Sequence, residues 1–83
     1  MTQDRDIKVL VVDDTAIYRK IVSGSVQSLP GLSLMGTAPN GELALRKMER
    51  ECPDLVLLDV EMPVMDGLTT LKAIRERYPE VGV

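Results

Sequence analysis

The chain has 83 residues, of which 45% are hydrophobic and 28% charged, and its formal net charge is −3. This composition is typical of one small globular domain and not of a disordered segment. A weakly acidic chain without a basic block gives little support to nucleic-acid binding, and its two aromatic residues are too few for a base-stacking surface. Histidine is absent, which excludes His-based catalysis and His metal sites.

The cysteine content and the apolar runs favour a cytoplasmic protein without a membrane partner. Cys52 is the single cysteine, so no intramolecular disulfide can form and a reducing compartment is indicated. The first apolar run is far too short for a signal or membrane-spanning segment. We expect the Cys52 side chain to be buried as a small hydrophobe.

Strand and helix patterns alternate along the chain. Residues 7–12 and 55–58 are unbroken apolar runs, which are typical of strands that are covered on both faces of a parallel sheet. Residues 32–38 alternate in part, so they predict a less covered strand at an edge of the sheet. Helices are predicted at 16–28 and 41–51, with a third helix after residue 66.

The helices are predicted from their caps and from the helical spacing of apolar residues. Asn40 and Asp66 are the predicted N-caps of the second and third helices. The expected inner faces are Tyr18, Ile21, Val22, Val26 and Leu29 on the first helix, Ala44, Leu45, Met48 and Cys52 on the second, and Leu68, Leu71, Ile74 and Tyr78 on the third. Residues 81–83 predict the beginning of a further strand.

Two rules predict the topology of this single domain, which covers residues 1–83. Crossovers between parallel strands are right-handed, and the alternating strand belongs at an edge. The order 2-1-3 satisfies both rules, with the first helix on one face and the other two helices on the opposite face. The expected fold class is therefore α/β, a doubly wound parallel sheet made of three βα units.

Three acids follow the two central strands of this predicted sheet. Asp13 and Asp14 come directly after the first strand, and Asp59 follows the third. Neighbouring strands lie about 4.8 Å apart, and ligands bind at the carboxyl ends of strands where the strand order reverses. We expect the three carboxylates to converge there, which is unfavourable unless a cation neutralises them.

Three stretches of sequence carry a resemblance to a known family. They are residues 11–16, 38–41 and 57–68, which read VVDDTA, APNG and LLDVEMPVMDGL. With them the chain resembles the receiver domain of bacterial two-component response regulators, and most closely the receiver of chemotaxis-type protein-glutamate methylesterases. The resemblance covers essentially the whole chain and implies a flavodoxin-like fold.

The resemblance implies a role for each acid. Asp59 is similar to the phosphoacceptor, which takes a phosphoryl group from a phosphohistidine of a sensor histidine kinase. Asp14, Asp59 and the backbone carbonyl of Glu61 correspond to ligands of Mg²⁺, and Asp13 corresponds to a residue that acts through a water molecule. Mg²⁺ suits such a site because it prefers a few carboxylates together with phosphate oxygens and water.

The sequence also departs from the complete family pattern. A complete receiver has five strands and five helices, with a Ser or Thr after strand 4 and a Lys after strand 5. The sequence given ends at Val83, before either position, and neither Lys72 nor the two threonines at 69–70 can replace them. We therefore expect impaired phosphorylation, no enzyme activity because the methylesterase output domain is absent, and a homodimer through the exposed edge of strand 3.

Two other functions stay open at this point. An Asp-nucleophile phosphohydrolase also uses a strand-end Asp with Mg²⁺, but it needs a second Asp where this chain has Glu61, and its pattern has no place for the Asp13-Asp14 pair. The other alternative is a non-catalytic dimerising fragment without signalling activity.

Overall fold

The computed structural model describes residues 6–59 and 66–83, and within these ranges strands and helices alternate. The strands are β1 (Ile7–Val12), β2 (Leu32–Ala38) and β3 (Leu55–Leu58), and the helices are α1 (Ala16–Ser28), α2 (Gly41–Arg50) and α3 (Gly67–Arg77). The predicted bounds of the strands and of α1 are confirmed, whereas α2 ends one residue earlier than predicted. None of the helices in the described ranges is long and apolar enough to cross a membrane.

The sheet is parallel and has the strand order β2-β1-β3, which confirms the predicted topology. Val12, the last residue of β1, lies opposite Ala38 of β2 and Leu58 of β3. The three strands therefore end at the same level, and the residues that follow them share one edge of the sheet. This register is what positions the functional site.

Side chains of β1 alternate between two hydrophobic cores, so the strand is covered on both faces. Leu10 and Val12 belong to the core under α2 and α3, and Val9 and Val11 belong to the core under α1. All four are at most 1% exposed. Burial of such a side chain stabilises a fold by about 1.5–3 kcal/mol. The two cores also confirm that α1 lies on one face and α2 and α3 on the other.

An extra residue interrupts the alternation of the edge strand β2. Val9 pairs with Leu34 and the next residue, Leu10, pairs with Gly36, so Met35 is the unpaired residue of a bulge. Leu34 packs against the core on the α1 side, whereas Met35 packs against the core on the α2 side. The prediction of an edge strand is confirmed, but the bulge is not visible in the sequence pattern.

The predicted caps of α2 and α3 are confirmed. The Asn40 side-chain oxygen accepts a hydrogen bond from the Leu43 amide at 2.9 Å, and an Asp66 carboxylate oxygen accepts one from the Thr69 amide at 2.8 Å. The bond from the Thr69 amide favours the charged carboxylate and lowers the pKa of Asp66. Both side chains satisfy an amide that has no partner within its own helix.

The predicted inner face of α3 is partly wrong. Leu68 is 68% exposed, whereas Thr70 and Ile74 are fully buried. The Thr70 hydroxyl donates a hydrogen bond to the Asp66 carbonyl at 3.0 Å, which removes the cost of burying that polar group. Leu71 and Tyr78 are half-buried, so Leu68 is the predicted inner residue that instead faces solvent, and Thr70 is an inner residue that was not predicted.

The predicted inner face of α1 is also only partly correct. Val26 is buried and Val22 is half-buried, but the other three predicted residues, Tyr18, Ile21 and Leu29, are more than half exposed. Together with Ile17, which is 68% exposed, Tyr18 and Ile21 leave an apolar surface along the outer side of this helix.

Cys52 is exposed, so the expectation of a buried thiol is wrong. The physical reason is the end of α2. This helix stops at Arg50 and Glu51 is already in an extended conformation, so Cys52 does not continue the inner face formed by Ala44, Leu45 and Met48.

The chain returns to the sheet after α3. Gly82 forms a parallel bridge with Leu55; its amide donates to the Asp54 carbonyl at 3.0 Å, and its carbonyl accepts from the Val56 amide at 2.7 Å. Since β1 lies on the other side of β3, this bridge is on the outer edge of β3. The predicted beginning of a strand at residues 81–83 is thus present as an isolated bridge, and it covers part of that edge.

Candidate functional site

The backbone that follows β1 and β3 holds two of the predicted acids in the plane of the sheet. The Asp13 amide donates to the Ala38 carbonyl at 3.1 Å, and the Asp59 amide donates to the Val12 carbonyl at 3.0 Å. Both residues therefore continue the hydrogen-bond ladder by one step. Their side chains start from adjacent strands at the carboxyl edge of the sheet.

The three acids predicted from the sequence come together at this edge. One carboxylate oxygen from each of Asp13, Asp14 and Asp59 lies within 4.8 Å of the others. Asp13 and Asp59 are half-buried, and Asp14 is exposed. This confirms the expected convergence, and the three residues form what we call the acid cluster.

The donor set of the acid cluster is compatible with a magnesium site. Carboxylate oxygens are hard ligands of the kind that Mg²⁺ prefers, and a partly exposed site lets the ion keep several waters. Two unit charges at this spacing repel each other by about 1 kcal/mol even in bulk water, and by more where solvent is partly excluded. A divalent cation among the three oxygens would turn this repulsion into attraction.

The start of α1 holds the Asp13-Asp14 turn in place. The Thr15 amide donates to an Asp13 carboxylate oxygen at 2.9 Å, and the Thr15 hydroxyl donates to an Asp14 carboxylate oxygen at 3.4 Å. From within the helix, the Arg19 guanidinium donates to the Asp13 carbonyl at 2.7 Å. These contacts hold Asp13 and Asp14 of the acid cluster beside the positive N-terminal end of the α1 dipole, which favours anions.

Sequence reasoning did not find the part that Arg19 takes in this site. Its contact is with a backbone carbonyl, and a backbone carbonyl leaves no trace in a residue pattern. Only the position of a cation in the first helical turns after the two acids points toward it.

An open depression of about 390 Å³ adjoins the acid cluster on the α1 side of β3. It is lined by Val11, Val12, Asp13, Tyr18, Val22, Leu57, Leu58 and Asp59. The side chains of Asp13 and Asp59 are therefore reachable from solvent.

One predicted site residue lies outside the described residues. Glu61, whose backbone carbonyl was predicted to complete the metal site, falls in the segment 60–65 between β3 and Asp66. Its predicted role as a ligand stays a prediction.

Comparison with known proteins identifies one family across nearly the whole chain. Residues 9–83 match the family model of the response regulator receiver domain. A protein-glutamate methylesterase/protein-glutamine glutaminase of Halalkalibacterium halodurans is 53% identical over 73 residues, which are 88% of this chain and 21% of that protein. A protein of the same name from Geobacillus kaustophilus is 52% identical over 75 residues, 90% of this chain and 22% of that protein. The chain thus spans about a fifth of the length of these curated relatives.

Solved structures agree with the family model. The response regulator domain of Thermotoga maritima CheB superimposes with a TM-score of 0.85 at 37% identity, over 90% of this chain and 56% of that chain. A chain of the CheX-CheY-BeF3-Mg+2 complex from Borrelia burgdorferi has a TM-score of 0.85 at 34% identity, over 93% of this chain and 58% of that chain. The strand order, the acid cluster and the match over residues 9–83 lead to one conclusion: the chain belongs to the response regulator receiver domain family.

Proposed function

We propose that the chain is the phosphoacceptor receiver module of a two-component phosphorelay, which takes a phosphoryl group from a histidine kinase onto Asp59 with Mg²⁺. The observation that carries this proposal is the meeting of three carboxylates within 4.8 Å at the carboxyl edge of the sheet, in a chain of the receiver family. The similarity to a chain from a complex that contains BeF3 and Mg²⁺ supports it.

In this proposal Asp59 is the nucleophile. A carboxylate oxygen of Asp59 attacks the phosphorus atom of a phosphohistidine, an O–P bond forms, the N–P bond breaks, and the imidazole leaves with the electron pair. Asp14, Asp59 and the carbonyl of Glu61 would hold Mg²⁺, and Asp13 would contribute through a water molecule. When bound, Mg²⁺ would neutralise the carboxylates and the transferred phosphoryl oxygens, which is most of what phosphoryl transfer requires.

The residues at the start of α1 act as positioning groups. Thr15 and Arg19 hold the Asp13-Asp14 turn by the contacts described above. The N-terminal end of α1 adds about 0.3–1 kcal/mol of favourable interaction with a nearby anion.

We assign signalling and not ester hydrolysis to these 83 residues. The receiver match accounts for residues 9–83, while the methylesterase relatives are about five times longer than the region that aligns. For the kinase that phosphorylates the module and for the output that the module controls, the proposal specifies a class and not an individual protein. A cytoplasmic location, favoured by the single cysteine, and a homodimer also belong to the proposal.

Titration with Mg²⁺ tests the metal site. We expect a millimolar dissociation constant, about −4 kcal/mol, because few protein ligands contribute. The amide signals of Asp13, Asp14 and Asp59 should shift on titration, and Asp14→Asn should weaken binding several-fold. Asp6→Asn is the matched control, since Asp6 is an exposed acid at the opposite end of β1. A folded sample without shifts at the acid cluster under saturating Mg²⁺ would contradict the proposal.

Labelling with acetyl phosphate and Mg²⁺ tests the nucleophile. We expect slow labelling of the 83-residue chain, because no Ser, Thr or Lys among the described residues reaches the acid cluster from a fourth or fifth strand. The intact mass should show this label in the parent chain and in Asp6→Asn, and no label in Asp59→Asn. Label that persists in Asp59→Asn would refute the assignment of the phosphoacceptor, and rapid labelling would show that three acids and Mg²⁺ suffice.

A further inference from the structure

A groove between α2 and the edge strand β2 combines an apolar floor with a wall of cations. Two adjoining depressions of about 320 Å³ and about 160 Å³ form it, and Lys47 and Arg50 line both of them. The other residues of this α2–β2 groove are Met35, Pro39, Leu43 and Arg46, with Glu51 at one end. The groove runs along the β2 edge of the sheet, which is the edge opposite β3.

The positive charge of the groove is not compensated by the part of the chain that the structure describes. Lys47 and Arg50 are exposed and form no ion pair with a described residue. Arg46 pairs with an acid one turn earlier on α2, but at 3.5 Å and in an exposed position, where such a pair contributes little. Glu51 is the acid of the groove, and the Lys8 ammonium engages it at 3.1 Å. The groove is thus a cationic strip on a chain whose net charge is −3.

The shape of the groove indicates how a ligand would lie in it. Leu43 is 38% exposed and Pro39 is exposed, so an apolar side chain can pack on them. A ligand strand is not expected to extend the sheet, because the bulge at Met35 disturbs the ladder of the edge strand. The Lys47 ammonium also lies over β2, 3.9 Å from the position that a β-carbon on Gly36 would take.

We propose that the α2–β2 groove docks an acidic peptide segment of a partner protein, with an apolar side chain on Leu43 and Pro39 and carboxylates at Lys47 and Arg50. A peptide is favoured over a nucleic acid for two reasons. The groove has no aromatic residue on which a base could stack, and its short strip of three cations offers few contacts for the many phosphates of a nucleic acid. The few charged contacts of a short peptide are compatible with a site in which two cations have no ion-pair partner among the described residues. Docking by exposed charges is weakened by salt.

The test uses the 83-residue chain labelled with ¹⁵N and a blocked peptide of sequence Glu-Asp-Leu-Glu-Asp-Leu. We expect saturable amide shifts around Met35, Leu43, Lys47 and Arg50, and loss of these shifts at high salt. The double variant K47E/R50E should weaken binding about tenfold or more. The control K72E/R75E makes the same change in net charge at exposed cations of α3 and should stay within about twofold of the parent.

Four results would overturn the proposal. They are the absence of saturable binding to the folded chain, shifts on another face, an equal loss of binding in the two double variants, and tighter binding of a short DNA duplex to the same groove. A peptide in which Gln and Asn replace the acids distinguishes charge from apolar contact. We expect it to bind at least about tenfold more weakly, and equal binding would contradict the role of Lys47 and Arg50.

Discussion

Leu68 and Ile74 of α3 show that the contribution of a side chain to the free energy of unfolding depends on whether it faces the core or solvent. Ile74 is fully buried in the core beneath α2 and α3, while Leu68 is 68% exposed. Ile74→Ala should lower the free energy of unfolding by about 2–5 kcal/mol, because it removes buried methyl groups and leaves a cavity. Leu68→Ala should change it by less than about 0.5 kcal/mol.

Urea denaturation with a common m-value measures both changes. Leu68→Ala is the matched control, since it removes a similar amount of apolar side chain from the same helix. Comparable losses of unfolding free energy in the two variants would contradict this prediction, because they would mean that Leu68 is also packed in the folded chain.

At the scale of the residue, the acids of the site were predictable and their supports were not. Asp13, Asp14 and Asp59 follow buried strands, and the register of a parallel sheet brings such residues together whatever the rest of the chain does. Arg19 acts on a carbonyl, and Thr70 becomes an inner residue because its hydroxyl bonds to the backbone. Neither contact is made by a helix-capping side chain, for which the sequence does signal a bond to the backbone, so the residue pattern does not reveal them.

At the scale of the element, the capping acid of α3 gives the fold a pH dependence. The carboxylate of Asp66 accepts the amide hydrogen bond of Thr69, so its pKa is lowered in the folded chain. A lowered folded pKa means that the stabilisation is fully present above the unfolded pKa and is lost as the pH falls through the folded pKa. We expect the contribution of this cap to the melting temperature to be constant above about pH 5 and to be lost as the pH falls below the ordinary carboxyl pKa of 3.8.

The variant Asp66→Asn isolates that contribution. Asparagine also caps helices but does not titrate, so this variant should keep the cap and lose part of the decrease at low pH. Asp6→Asn removes an exposed acid outside the helices and should leave the slope of the parent chain almost unchanged. Identical pH profiles for the parent and Asp66→Asn would contradict a titrating cap.

The starts of the helices follow from local sequence signals, whereas the irregularities of the helices and strands do not. Asn40 and Asp66 mark the starts of α2 and α3 because a capping side chain meets amides that the helix leaves open. The bulge at Met35 arises between two strands that are distant in the sequence, and no local propensity specifies it. The exposure of Cys52 follows from the early end of α2, and such boundaries are the least predictable feature of a helix.

At the scale of the whole molecule, two features remain uncovered among the described residues: an apolar surface on α1 and part of the outer edge of β3. Ile17, Tyr18 and Ile21 expose more than half of their surface on the outer side of α1, and Tyr18 lines the depression next to Leu57 of β3. Among the described residues, Gly82 alone pairs with the outer edge of β3, at Leu55, so only part of that edge is covered.

The homodimer through the edge of strand 3 stays a prediction, and the structure makes its test more specific. An open strand edge is a template for another chain, and a second copy offers the same edge by two-fold symmetry. We expect light scattering at micromolar concentration to give twice the 9.2 kDa mass of the chain. Tyr18→Lys places a charge beside the β3 edge without touching the ladder and should shift the chain toward monomer. Leu29→Lys, at a similarly exposed apolar residue next to β2, should leave the dimer intact, and a folded monomer of the parent chain would refute the prediction.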